Sequence, residues 1–176
     1  MLANYNSDAY NIVKILHILC AIIGFGGVTL NGVYGAQMRG RAARESAPIA
    51  QAVLRVSTVA EYFIYAVFVL GLALVGIGNK SHGFTVIDFG QTWIWLSIVL
   101  FIAGLGISHG ALRPRVKRTT ALLTEQAATP AGATAGPPPA ELEVLGKQIA
   151  TFEAILDVLL VVILVFMVFK PGGPRF

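Results

Sequence analysis

The chain has 176 residues, of which 56% are hydrophobic and only 12% are charged, with a formal net charge of +4. This composition is too apolar for an ordinary soluble domain or a disordered chain, and it is typical of a protein whose main solvent is the lipid bilayer. The positive charge does not indicate nucleic acid binding, because the basic residues flank apolar segments. The single cysteine, Cys20, excludes a disulfide bond within the chain.

The chain contains long apolar segments at about residues 11–36, 56–78, 92–112 and 152–169. An α-helix needs roughly 20 residues to cross about 30 Å of hydrocarbon, so each segment is long enough to span the membrane. The sequence therefore predicts one membrane domain over 1–176, an all-α bundle of four transmembrane helices. The first segment is too long for the core of a signal peptide and lacks a clear cleavage site, so we expect it to be retained as a span.

Basic residues are concentrated in the connections that follow the first and third spans, which hold nine of the 13 Lys and Arg residues. By the positive-inside rule these two connections face the cytoplasm. Both termini and the loop at 79–91 are then expected to lie outside.

The connection at 113–148 is the least membrane-like part of the chain. It begins with the basic run 113–118 and continues into a stretch at 128–139 that is rich in Pro, Gly, Ala and Thr and has no apolar face. We expect a flexible cytoplasmic loop, with helix resuming near Ala140 and with the segment 126–139 dispensable for folding. The basic run is interpreted either as a topology determinant or as a site for lipid headgroups or a partner.

Ionisable residues within spans are costly unless they have partners, which makes them the best pointers to function here. The candidates are His17, Glu61, His109, Glu153 and Asp157. At a rise of about 1.5 Å per residue, the two histidines are expected to lie roughly 15–20 Å apart along the membrane normal. Ligation of one haem by both histidines is therefore not expected, whereas a haem or metal ion held by one of them remains open.

The other candidates are predicted to lie near the cytoplasmic ends of their spans. Glu153 and Asp157 are four residues apart and therefore share one helix face. We expect Glu61, His109 and Asp157 to converge in one layer and to face the interior of the bundle. Carboxylates and an imidazole in such a layer could, together with Glu153, bind a divalent metal ion or relay a proton. A structural network of hydrogen bonds and ion pairs with arginine is the alternative.

Small residues form two patterns in the spans. His17, Gly24 and Asn31 recur every seven residues in the first span, and Gly106 and Gly110 form a GxxxG pair in the third. Small residues on one face let another helix approach closely. Both patterns therefore predict helix packing, either within the bundle or between two copies of the chain.

The segment 13–27, VKILHILCAIIGFGG, has an early histidine followed by glycines. In this feature and in its four spans, the chain resembles an uncharacterised group of bacterial integral membrane proteins, domain of unknown function 2269. More distantly, it resembles the copper-resistance D proteins and the HemJ-type protoporphyrinogen oxidases. In those two groups an early histidine is linked to haem or metal, so the resemblance implies His17 as a haem or metal ligand.

The sequence leaves two classes of function open for a multi-pass protein of the bacterial inner membrane. The first is a structural or accessory subunit that packs, as a homo-oligomer or with other membrane proteins, through its glycine faces. The second is a haem- or metal-dependent redox or transport protein that uses His17 or the Glu61/His109/Asp157 cluster. The chain contains no Walker A, HExxH or paired CxxC motif, and no catalytic residue is assigned.

Overall fold

A computed structural model of the chain describes residues 7–78, 80–81, 84–85, 87–129 and 139–172. Its helices are α1 (Asp8–Met38), α2 (Ala43–Ile77), α3 (Thr92–Ile107), α4 (Arg113–Ala128) and α5 (Pro139–Phe169). The π-helix Ser108–Leu112 connects α3 to α4. Between α2 and α3, two short strands, β1 (Lys80–Ser81) and β2 (Phe84–Thr85), pair in an antiparallel ladder.

Helices long and apolar enough to cross a membrane are α1, α2, α3 continued through α4, and α5. The prediction of an all-α fold with four membrane-spanning helices is therefore confirmed. Ser7 caps the first helix, since the backbone N–H of Tyr10 donates to its Oγ at 3.2 Å. The helices extend beyond the predicted spans because hydrocarbon thickness limits the apolar stretch of a helix and not the helix itself.

The prediction of a flexible loop at 113–148 is wrong for most of that segment. Residues 113–128 form α4, and α5 begins at Pro139, close to the predicted resumption near Ala140. The helix α4 has an apolar stripe with helical spacing, which the basic and Pro-rich composition of this region obscures. Its members are buried or half-buried and comprise Val116, Thr120, Leu123 and Ala127. Residues 130–138 of the predicted loop lie outside the described residues.

The first of two compact units contains residues 1–26, 60–103 and 159–176. Its buried core joins the amino-terminal turns of α1 to α2, α3 and the connection that precedes α3, and consists of Tyr10, Val75, Ile87, Trp93 and Ile94. The rings of Phe68 on α2 and Phe101 on α3 also stack, with centroids 5.1 Å apart. Large aromatic and branched side chains therefore hold this unit together.

The second unit contains residues 27–59 and 104–158. Its core is built on small residues, Ala47 and Ala50 of α2, which pack with Leu123 of α4. Met38, Ala43, Ala127 and Leu142 surround this core. The pairing of α2 with α4 is reinforced by Gln51, whose Nε2 donates to Thr124 Oγ1 at 3.3 Å. These contacts explain why α4 is helical although its sequence is strongly basic.

The seven-residue repeat of α1 packs against α2. In the first unit, a Cβ added at Gly24 would lie 3.0 Å from Ile64 Cγ1 and 3.1 Å from the Ile64 backbone nitrogen. In the second unit, Asn31 Nδ2 donates to Ser57 Oγ at 2.9 Å. The interpretation of this repeat as a helix-packing face is confirmed, and the packing partner is within the same chain.

Candidate functional site

His17 lies on the face of α1 that contacts α2 in the first unit. A Cβ added at Gly71 would be 3.2 Å from the Cε1 of His17 and 3.6 Å from its Nδ1, so the absence of a side chain at Gly71 makes room for the ring. The backbone of Val67 interacts with the ring. No hydrogen bond of ordinary distance and angle reaches the buried Nδ1 from any described residue. Because buried polar atoms normally have partners, His17 stands out as a candidate ligand.

Glu61 belongs to the first unit and lies on α2. Its Oε1 accepts a hydrogen bond of 2.6 Å from the hydroxyl of Tyr65, one helical turn further along. Such a short bond is typical of a hydroxyl that donates to a carboxylate. The tyrosine thus partly satisfies the carboxylate within a spanning helix.

Glu153 and Asp157 belong to the second unit and approach the same stretch of α1. A Cβ added at Gly32 would lie 3.9 Å from Glu153 Oε2, and Thr29 Oγ1 lies 3.4 Å from Asp157 Oδ1 in hydrogen-bonding geometry. The two carboxylates therefore face a common helix, as their four-residue spacing predicts.

His109 lies in the π-helix and its side chain is exposed. Its Nδ1–H donates to the Leu105 carbonyl at 3.0 Å. The expected orientation toward the bundle interior is wrong for this residue, because the ring is held against the backbone of its own helix. π-helical turns occur frequently at functional sites, which keeps this segment of interest.

No group of three or more His, Cys, Asp or Glu side chains that could hold a metal ion occurs among the described residues. Glu61 lies in one unit, whereas His109, Glu153 and Asp157 lie in the other. The metal-binding and proton-relay hypotheses for these four residues, and the convergence of Glu61 with the others, stay predictions.

The glycines of the spans fall into two classes. Gly24 and Gly71 are in close contact with a neighbouring helix, whereas Gly106 and Gly110 have no atom within 4 Å of the place a Cβ would take. The GxxxG pair is also exposed. None of the described residues therefore packs closely against this pair, in contrast to the repeat of α1, which packs against α2.

The chain matches the family of predicted integral membrane proteins DUF2269 over residues 11–171. It belongs to this family. No match was found among curated proteins or solved structures. The resemblance to the DUF2269 family is thus confirmed, and the more distant resemblance to copper-resistance D and HemJ-type proteins stays a prediction.

Sequence reasoning did not single out Arg115 in this DUF2269 protein. Arg115 Nη1 donates to the Ala111 carbonyl at 2.7 Å and Nε donates to Gln148 Oε1 at 2.8 Å, while Arg118 forms an ion pair with Glu141 at 3.2 Å. Both arginines belong to the basic run 113–118. They differ in the α5 residue that each contacts. No local sequence signal could have separated them, since the partners that distinguish them, Gln148 and Glu141, lie 33 and 23 residues away along the chain.

Proposed function

We propose that the protein is a structural or accessory subunit of the bacterial inner membrane that packs against a second copy of itself through the face marked by Gly106 and Gly110. The observation that supports the proposal is that both glycines are open and exposed. Each glycine in a helix interior costs about 0.5–1 kcal/mol relative to alanine. A close approach by another helix would offset that cost.

The chemistry of this face suits a helix partner. Gly106 in α3 and Gly110 in the π-helix are four residues apart, about one helical turn, so the two glycines offer a shallow surface on which a second backbone can rest. His109 adds an exposed polar ring beside them, and histidines can hydrogen-bond across helices in membranes.

A second copy is favoured as the partner because GxxxG faces can pack on identical faces. A two-fold axis then brings each glycine pair against its equivalent, which is the geometry of most homodimers. A different membrane protein as the partner is one outcome of the test below.

The test compares Gly106→Ile with Gly35→Ile. Gly35 of α1 is a matched control, since it also has no atom within 4 Å of the place a Cβ would take. Light scattering in mild detergent should give an oligomeric mass for the wild-type protein and for Gly35→Ile, and a monomeric mass for Gly106→Ile. A monomeric wild-type protein would contradict self-association. If the wild-type chain is monomeric when pure but migrates as a larger complex from native membranes, another membrane protein replaces the second copy.

A second candidate function is favoured by the buried Nδ1 of His17. In this case the protein is haem- or metal-dependent and acts in redox chemistry or transport.

The second candidate is tested by the visible spectrum and metal content of protein purified from cells supplied with haem and transition metals. Haem or metal that is present in the wild type and in His109→Ala, but lost in His17→Ala, would support it. Its absence from the wild type, or its retention in His17→Ala, would count against this site.

A further inference from the structure

The guanidinium of Arg115, in the second unit, is held by neutral groups. Nη1 donates to the Ala111 carbonyl at 2.7 Å and Nε donates to Gln148 Oε1 at 2.8 Å. The Phe152 ring lies beneath it, with 4.8 Å between Cζ and the ring centroid. Among the described residues, Arg115 has no carboxylate partner. These contacts fix the orientation of the side chain and leave its positive charge uncompensated.

Arg118, three residues further along α4, provides the contrast. Its Nε and Nη2 each lie 3.2 Å from Glu141 Oε1, so a carboxylate from α5 balances its charge. Both arginines reach toward α5 from the same helix. Of these two arginines, Arg115 is the one that offers a pre-oriented cation without a described counter-charge.

The position of Arg115 along its helix matches the headgroup layer. It lies three residues beyond Leu112, the last residue of the predicted third span, which corresponds to about 4.5 Å along a helix axis. Phe152, on which the guanidinium rests, is the first residue of the apolar stretch of α5. Lipid phosphates lie at this boundary between hydrocarbon and water.

We propose that Arg115 binds the phosphate of an anionic phospholipid headgroup. A guanidinium has five N–H donors in a fixed fork, and two are used by Ala111 and Gln148. Donors therefore remain for phosphate oxygens, to which arginine binds with a matching planar geometry. Lys117, which is exposed nearby on α4, adds to the local positive potential. Residues 113–118 thus contain a specific headgroup site in addition to any effect on topology.

The test uses nanodiscs of phosphatidylcholine with a minor fraction of phosphatidylglycerol, and mass spectrometry of the lipids that stay bound after transfer to detergent. Arg115→Gln should reduce the preference for phosphatidylglycerol by about fivefold, the effect of removing one cation at the membrane surface. Arg118→Gln, whose charge is already paired with Glu141, should change it by less than about twofold. Equal effects of the two substitutions would overturn the assignment.

Gln148→Glu provides a second test that retains Arg115. The new carboxylate would stand where the amide oxygen now accepts from Nε at 2.8 Å, and it should compete with the lipid for the guanidinium. We expect this variant to lose the preference while its thermal unfolding in phosphatidylcholine stays cooperative. A variant that keeps the wild-type preference would contradict the proposal.

Soluble phosphate distinguishes a lipid headgroup from a free anion. An excess of inorganic phosphate should leave phosphatidylglycerol bound to the wild-type protein, because the acyl chains contribute to retention. Full displacement by inorganic phosphate would show a site for a free anion and would overturn the assignment to a lipid.

Discussion

Two glycines that are two residues apart on α1 have opposite environments. A Cβ at Gly24 would lie 3.0 Å from Ile64 Cγ1 and 3.1 Å from the Ile64 backbone nitrogen, whereas a Cβ at Gly26 would have nothing within 4 Å. The backbone nitrogen of Ile64 cannot move aside as a flexible side chain could. The size of a single residue therefore limits how closely α1 approaches α2.

This difference predicts opposite signs for two alanine substitutions. Gly24→Ala should destabilise the protein by about 1–3 kcal/mol, because the added methyl group overpacks the helix contact. Gly26→Ala should be neutral or stabilising by up to about 1 kcal/mol, because alanine favours helix over glycine. Denaturant unfolding of both variants in mild detergent measures the two values. Similar changes in both variants would show that Gly24 is not in close contact with α2.

At the level of single residues, the sequence predicts the positions of some side chains better than those of others. The shared face of Glu153 and Asp157 follows from helical spacing alone, and both carboxylates do face α1. The direction of His109 could not be predicted, because it depends on a bond to the Leu105 carbonyl within a π-helix. Nothing in the local sequence marks that π-helix.

Among the elements, α4 shows where composition misleads. The run 113–118 and the Pro-rich stretch after it predict a solvated loop, but the stripe through Leu123 and Ala127 packs onto Ala47 and Ala50. The spanning helices were easier to predict, since a long apolar run has one common solution in a bilayer. A helix such as α4, which packs through small residues and carries many charges, has a much weaker pattern.

The extent of α4 predicts the outcome of two replacements in the connection to α5. Substituting 130–138 with a Gly/Ser sequence of equal length should change the free energy of unfolding by less than about 1 kcal/mol, since this composition offers no apolar face. Substituting 126–138 should cost at least about 2 kcal/mol, because it shortens α4 and removes the packing of Ala127 against the core of the second unit. Thermal or denaturant unfolding compares the two proteins. Equal stability would mean that the end of α4 does not contribute to folding.

At the scale of the whole molecule, the described residues contain four helices long and apolar enough to span a membrane, and the nine basic residues in two connections predict their orientation. In a Cys20→Ala background, a cysteine introduced at Ser81 should react with an impermeant thiol reagent in intact cells. A cysteine introduced at Ala133 should react only after the membrane is opened. The reverse labelling pattern would invert the topology and place both termini in the cytoplasm.

In the proposed dimer, the open face of Gly106 and Gly110 meets the same face of a second copy. Oxidative cross-linking in native membranes tests this contact directly, using Gly106→Cys in a Cys20→Ala background and Gly35→Cys as the control. We expect a disulfide-linked dimer of the chain from Gly106→Cys and little or none from Gly35→Cys. Absence of the dimer from Gly106→Cys, or equal cross-linking of both variants, would contradict it.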